Sequence, residues 1–169
     1  MGGTSEPAQA KASVWLVDDD SVVRTLVADL LARETDLDID RHFSGPDELL
    51  TTLATKPGPD VILLDFQMGE RNGLDAVRPI KSLAPGTSVL MFTTCFNPEW
   101  RERALSEGAS DYLLKSDEIM KVVARIRSPE QDRSSKPHTC RGSTAHVQIT
   151  NNTQSLVRRT LGRLRLLRN

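Results

Sequence analysis

Five residues with chemistry to offer stand directly after four apolar runs of this chain. Asp18 and Asp19 follow Val14-Trp15-Leu16-Val17, and Asp65 follows Val61-Ile62-Leu63-Leu64. Thr93 follows Val89-Leu90-Met91-Phe92, and Lys115 follows Tyr112-Leu113-Leu114. Carboxylates brought close together repel each other and stay ionised only with a cation among them. An all-oxygen donor set of that kind suits Mg2+, which leaves positions open for phosphate oxygens. A lysine adds a fixed positive charge and a threonine a hydrogen-bond donor. Phosphoryl transfer needs mainly positioning and charge neutralisation, and an aspartate can be its nucleophile, becoming an acyl phosphate. Each residue alone is what any solvent-facing strand end would carry; the set together points to a phosphoryl group.

The elements that must position them can be read from periodicity. The runs at 14–17, 61–64, 89–92 and 112–114 are short and uninterrupted, as strands buried on both faces are. A weaker strand is expected at 39–43, where Arg41 and His42 break the apolar pattern. Helical spacing recurs between them, first through Val22, Val23, Leu26, Val27, Leu30 and Leu31, and then through Leu49, Leu50 and Leu53. Three more helices are expected around Leu74, Val77 and Ile80, around Trp100, Ala104 and Leu105, and around Ile119, Val122, Val123 and Ile126. Ser44 is expected to cap the second helix, with Asp47 as the capping-box acid. Pro79 should bend or shorten the third, and Gly108 should end the fourth. Five strand–helix pairs predict an α/β fold with a five-stranded, doubly wound parallel sheet. Such sheets bind ligands beyond the carboxyl ends of their strands, where the five residues lie.

The segments Val17-Asp18-Asp19-Asp20, Leu63-Leu64-Asp65-Phe66-Gln67-Met68, Asn72-Gly73-Leu74, Met91-Phe92-Thr93 and Gly108-Ala109-Ser110-Asp111-Tyr112-Leu113-Leu114-Lys115 follow one another along the chain. In order and spacing, this series resembles the signatures of receiver domains of two-component response regulators, over residues 13–127. The resemblance implies the flavodoxin-like receiver fold. It implies Asp65 as phosphoacceptor, and Mg2+ held by Asp65, by Asp19 directly, by Asp18 mainly through water and by the backbone carbonyl of Gln67. It implies Thr93 and Lys115 on the phosphoryl oxygens and Tyr112 as the aromatic switch that follows Thr93 by turning inward. A sensor histidine kinase or phosphotransfer protein would be the donor. Three positions depart from the usual pattern. Gly69 replaces a proline, Thr94 replaces a small residue, and Ser116 follows Lys115, as in many receivers joined to LuxR-type DNA-binding domains.

Charge divides the chain. Residues 1–124 carry 12 Lys+Arg against 21 Asp+Glu, a net of −9, and residues 125–169 carry 10 against 2, a net of +8. The expected organisation is an N-terminal segment at 1–12, the receiver at 13–127, a linker at 128–143 and a basic segment at 144–169. In the last, Val157, Leu161, Leu164 and Leu167 fall on one helical face. Arg158, Arg159, Arg163 and Arg165 beside them are candidate nucleic-acid contacts. The segment resembles, loosely, a LuxR-type turn and recognition helix, although residues 128–169 are fewer than the roughly 60 such a domain takes. No apolar run approaches the roughly 20 residues of a membrane span. The two cysteines, Cys95 and Cys140, lack metal-ligand spacing and suggest no disulfide framework, so a cytoplasmic location is expected.

These readings predict a response regulator, not an enzyme, that controls transcription through DNA contact by its C-terminal segment. The alternative is a receiver acting by protein contact alone, and salt-dependent DNA retention with and without the residues after Arg127 separates the two. A dehalogenase-like phosphatase would need a second aspartate where Gln67 stands. A monomer and a homodimer through the fourth helix, fifth strand and fifth helix are both compatible with the sequence.

Overall fold

The structure, a computed structural model, describes residues 11–69 and 71–129. In chain order the elements are β1 (Ala12–Val17), α1 (Ser21–Leu31), β2 (Leu37–Phe43), α2 (Pro46–Leu53), β3 (Val61–Asp65), β4 (Gln67–Met68), β5 (Arg71–Asn72), α3 (Leu74–Leu83), β6 (Ser88–Thr93), α4 (Pro98–Ser106), β7 (Asp111–Leu114) and α5 (Ile119–Arg127). Five strands form one parallel sheet in the order β2-β1-β3-β6-β7. Strand order reverses at β1 and β3, so Asp18, Asp19 and Asp65 stand at the sheet's switch point, where crevices open in such folds.

Strand residues alternate between two apolar layers. Trp15, Val17, Ile62, Leu64, Val89, Met91 and Tyr112 pack into the layer shared with α2, α3 and Ala104 of α4. Val14, Leu16, Val61, Leu63, Leu90, Phe92 and Leu113 pack into the layer under α1 and α5. The uninterrupted apolar runs are therefore strands covered on both sides. Continued past the strand ends, the alternation puts Asp18, Asp65 and Lys115 in phase with the α1/α5 layer. It puts Phe66 and Thr93 in phase with the α3/α4 layer.

Three local expectations change. Ser44 does not cap α2. The helix starts one residue later, with Gly45 at the cap position and Pro46 in the first turn, where its missing N–H costs nothing. Pro79 does not shorten α3, which runs on to Leu83. Pro79 and Asp75, four residues before it, are exposed, so the carbonyl the proline leaves without a partner can reach water, while Val77 and Ile80 keep the helix packed. A short antiparallel ribbon, β4 with β5, intervenes between β3 and α3 and is too brief to show as periodicity. The expected linker from residue 130 onward and the basic segment lie outside the described residues, as do Arg158, Arg159, Arg163 and Arg165.

Candidate functional site

The acidic loop after β1 is built from its own side chains. The Asp18 N–H donates to the carbonyl of Phe43 at 3.1 Å, which ties the loop to the end of β2. One carboxylate oxygen of Asp18 accepts from the Asp20 N–H at 2.9 Å, and the other lies 2.7 Å from the Lys115 ammonium. The Arg24 guanidinium donates to the backbone carbonyl of Asp18. Asp20 caps α1, its carboxylate accepting from the N–H groups of Val22 and Val23 at 2.8 and 3.2 Å. The run of three aspartates is thus divided: Asp20 is occupied by the helix, Asp18 is buried with both oxygens engaged, and Asp19 is exposed at the rim.

Asp65 closes β3 at 6% exposure, and its carboxylate lies 3.1 Å from the same ammonium. Lys115 is itself buried, and its backbone N–H donates to the Thr93 carbonyl at 2.6 Å, joining the ends of β6 and β7. Burial pushes the Asp65 carboxyl up to about 6. Lys115 opposes that shift, the charge of Asp18 adds to it, and the Phe66 backbone N–H favours the ionised form. Burial also raises Asp18 against the pull of Lys115. On Lys115 burial acts to lower the pKa, but the two carboxylates outweigh it and hold the ammonium above its usual range.

One oxygen each from Asp18, Asp19 and Asp65 lie within 4.8 Å of one another. A single ammonium cannot neutralise three carboxylates, two of them buried, so the site is short of positive charge. That deficit and the hard oxygen donors fit a small divalent cation such as Mg2+.

Thr93 is buried at the end of β6. Its hydroxyl makes two long contacts, donating to the Cys95 carbonyl at 3.5 Å and accepting from the Cys95 N–H at 3.4 Å. Tyr112 is also buried, and its hydroxyl donates to the same Cys95 carbonyl at 3.1 Å. Burial raises its pKa to about 12. Phe96 meets the Tyr112 ring edge-on, centroids 6.1 Å apart. Tyr112 therefore already lies inward, and the inward turn expected to follow a movement of Thr93 is not needed to reach this position.

Two glycines shape the loop after Asp65. A Cβ on Gly73 would stand 1.9 Å from the backbone oxygen of Asp65, a clash no side chain could tolerate. The Gly73 N–H donates to Phe66 O at 2.8 Å and closes the loop. Gly69 has φ +58°, a left-handed conformation closed to the proline that the resemblance would place there. Gln67 is exposed in β4, two residues beyond Asp65. Thr94 is exposed as well.

The site brings together Asp18, Asp19, Asp65 and Lys115, with Thr93 and Tyr112 sharing the Cys95 carbonyl beside them. Sequence reasoning missed the cap at Asp20, although an aspartate before a helical run is a recognised signal. It missed the stacked rings of Phe66 and Trp100, centroids 4.3 Å apart, which no local pattern announces.

Comparison with known proteins places this geometry. The family profile described as "Response regulator receiver domain" matches residues 14–127. The transcriptional regulatory protein LnrK of Bacillus subtilis is 35% identical over 118 residues, 68% of this chain and 53% of LnrK. The chain thus spans about half the length of that curated relative. A LuxR-family two-component response regulator from Aurantimonas superposes with a TM-score of 0.65 at 25% identity, covering 70% of this chain and 84% of that one. A response regulator of Burkholderia pseudomallei, solved with a phosphorylated aspartic acid, a calcium ion and citrate, shares the fold at 20% identity. Its TM-score is 0.63, and it covers 90% of this chain and 75% of its own. On the family match and the fold together, this chain belongs to the response regulator receiver family.

Proposed function

We propose that the chain is a phosphorylation-dependent switch that takes a phosphoryl group on Asp65 from a histidine kinase or phosphotransfer protein and regulates transcription. The observation that carries this reading is the Lys115 ammonium held between the buried carboxylates of Asp18 and Asp65, with Asp19 completing an oxygen cluster. Asp18, Asp19, Asp65 and the Gln67 carbonyl would hold Mg2+, which supplies charge neutralisation for the phosphoryl oxygens.

The chain's own residues do the rest. A carboxylate oxygen of Asp65 attacks phosphorus, the P–N bond of a phosphohistidine breaks, and the imidazole leaves with the electron pair and takes up a proton. Lys115 exchanges a carboxylate partner for a phosphoryl oxygen. Thr93, whose hydroxyl now makes long contacts with Cys95 and interacts with the Tyr112 hydroxyl, gains a strong acceptor. Tyr112 follows through the carbonyl of Cys95. The group is carried and passed on; no substrate is turned over. Relatives named as transcriptional regulators support the output, as does the positive charge after residue 124.

Asp65→Asn tests the reading. An amide is no nucleophile toward phosphorus here, so the acetyl phosphate adduct seen by intact mass in the wild type should vanish in the variant. An undiminished adduct would place the acceptor elsewhere and end this reading.

A further inference from the structure

We propose that the stacked rings of Phe66 and Trp100 form a second coupling path from Asp65 to α4, separate from Thr93 and Tyr112. The proposal rests on the reading of Asp65 as phosphoacceptor.

Phe66 directly follows Asp65, and its backbone N–H interacts with the Asp65 carboxylate. Its side chain is buried and faces the α3/α4 layer. There it stacks on Trp100, centroids 4.3 Å apart and planes inclined by 17°. Trp100 sits in the first turn of α4 and is 39% exposed, so one face of the indole is covered and the rest meets solvent. Among the residues of α4, all of them described, Ala104 alone is fully buried. The indole is thus the large apolar anchor at the start of a helix that has little else to hold it.

The loop between β6 and α4 is fastened at both ends by aromatic rings. Near its start Tyr112 donates to the Cys95 carbonyl and meets Phe96 edge-on. At its far end Trp100 lies on Phe66. The first fastening reports on Thr93, and the second reports on Asp65 itself through one peptide unit. A phosphoryl group on Asp65 adds negative charge and acceptor oxygens where the Phe66 N–H now meets the carboxylate. Re-aiming that N–H turns the residue that carries the ring. Offset stacking depends on ring placement, so a small turn of Phe66 shifts the balance between a docked and a released α4 start. The stack biases two conformations and transmits no more than its difference between them.

The test compares wild type, Trp100→Ala, Trp100→Phe, Thr93→Ala and the Thr93→Ala/Trp100→Ala pair. Intact mass after acetyl phosphate reads the acceptor. Hydrogen exchange over residues 98–106, with and without beryllofluoride and Mg2+, reads the coupling. Trp100→Ala should form the adduct as wild type does, yet lose roughly half of the beryllofluoride-induced protection change, with the pair losing more than either single variant. Trp100→Phe, which keeps a ring for stacking, should recover most of it. A full protection change in Trp100→Ala, no recovery in Trp100→Phe, or a pair no worse than Thr93→Ala would each overturn the second path. Failure of the wild type to form an adduct would instead remove the phosphoacceptor reading, and mass alone would show it.

Discussion

From Lys115 the chain leaves β7 for α5, and from Thr93 it leaves β6 for α4; the two exits are fastened by different forces. Lys115 is buried between Asp18 and Asp65 at 2.7 and 3.1 Å, and α5 beyond it buries Val122, Val123 and Ile126. Arg125 reaches the buried Asp111 at 3.3 Å. The Thr93 hydroxyl makes two long contacts with Cys95 and also interacts with the Tyr112 hydroxyl. Beyond it α4 buries Ala104, stacks Trp100, and is tied to α3 by Arg103–Asp75 at 2.7 Å and Arg78–Glu107 at 2.8 Å. Three of those four side chains are more than half exposed, so the pairs contribute little. A new anion at Asp65 would change the partners of a lysine whose charge is already engaged, whereas it would offer Thr93 a charged acceptor in place of neutral partners. The α5 exit is the more firmly held, and under the proposed function the α4 exit is the one that a phosphoryl group would redirect.

The largest effect should come from Lys115→Met. It leaves Asp18 and Asp65 buried without their cation, and near pH 7 with a chelator present it should cost about 3 kcal/mol. The sign with pH follows from Asp65. Its folded-state value, about 6, lies above the ordinary 3.8, so its contribution is fully present below the ordinary value and is lost as pH rises through about 6. Removing Lys115 pushes both carboxyls higher still, so the variant's deficit should shrink on acidification to about pH 5. Denaturation at the two pH values checks this. A deficit independent of pH would mean that Lys115 acts through packing and would weaken the contrast between the exits.

Truncation inside the helices should separate them by a smaller margin. Ile126→Ala in α5 should cost about 3 kcal/mol, against about 1 kcal/mol for the half-buried Leu105→Ala in α4. Urea midpoints measure both. Equal losses would show that α4 is packed as firmly as α5 and would break the comparison.

Much of this contrast lies beyond what a linear sequence displays. Asp18, Asp19, Asp65, Thr93 and Lys115 were legible because each follows an apolar run, and parallel strands covered on both faces make such runs unmistakable. Four strands of the sheet followed from the same runs, β2 only as the weaker strand that Arg41 and His42 interrupt, and the β4–β5 ribbon from none of them. The inward place of Tyr112 was not legible, since it depends on the Cys95 carbonyl seventeen residues earlier. Nor was the Phe66–Trp100 stack, a contact between elements that share no periodicity. Gly73 stood inside a recognised motif, but its reason is steric and appears only when the Asp65 carbonyl is seen against it. Pro79 did not shorten α3 as one of the two expected outcomes had it, because a local rule ignores that Asp75 and Pro79 lie on exposed positions of the helix.

The smallest effect concerns the far end of α5. Arg127 places its guanidinium 2.7 Å from Glu34 and from both carboxylate oxygens of Asp36, closing the last turn of α5 onto the loop before β2. The pairing lowers Asp36 from its ordinary carboxylate range. A depressed acid contributes above its unfolded value and loses that contribution as pH falls through its folded one, the opposite sign to Asp65. The side chains remain partly open to water, so the pairing is weak and sensitive to salt. Arg127→Gln should lower the melting temperature slightly and speed exchange in the last turn of α5, leaving α4 unchanged. In about 1 M salt, where the screening length falls to about 3 Å, wild type and variant should converge. They should converge again on acidification, because only the wild type has this pairing to lose. A difference that survives both salt and acid would mean that the arginine stem holds α5 by packing. The firmness of this exit would then owe less to charge at its outer end than at Lys115.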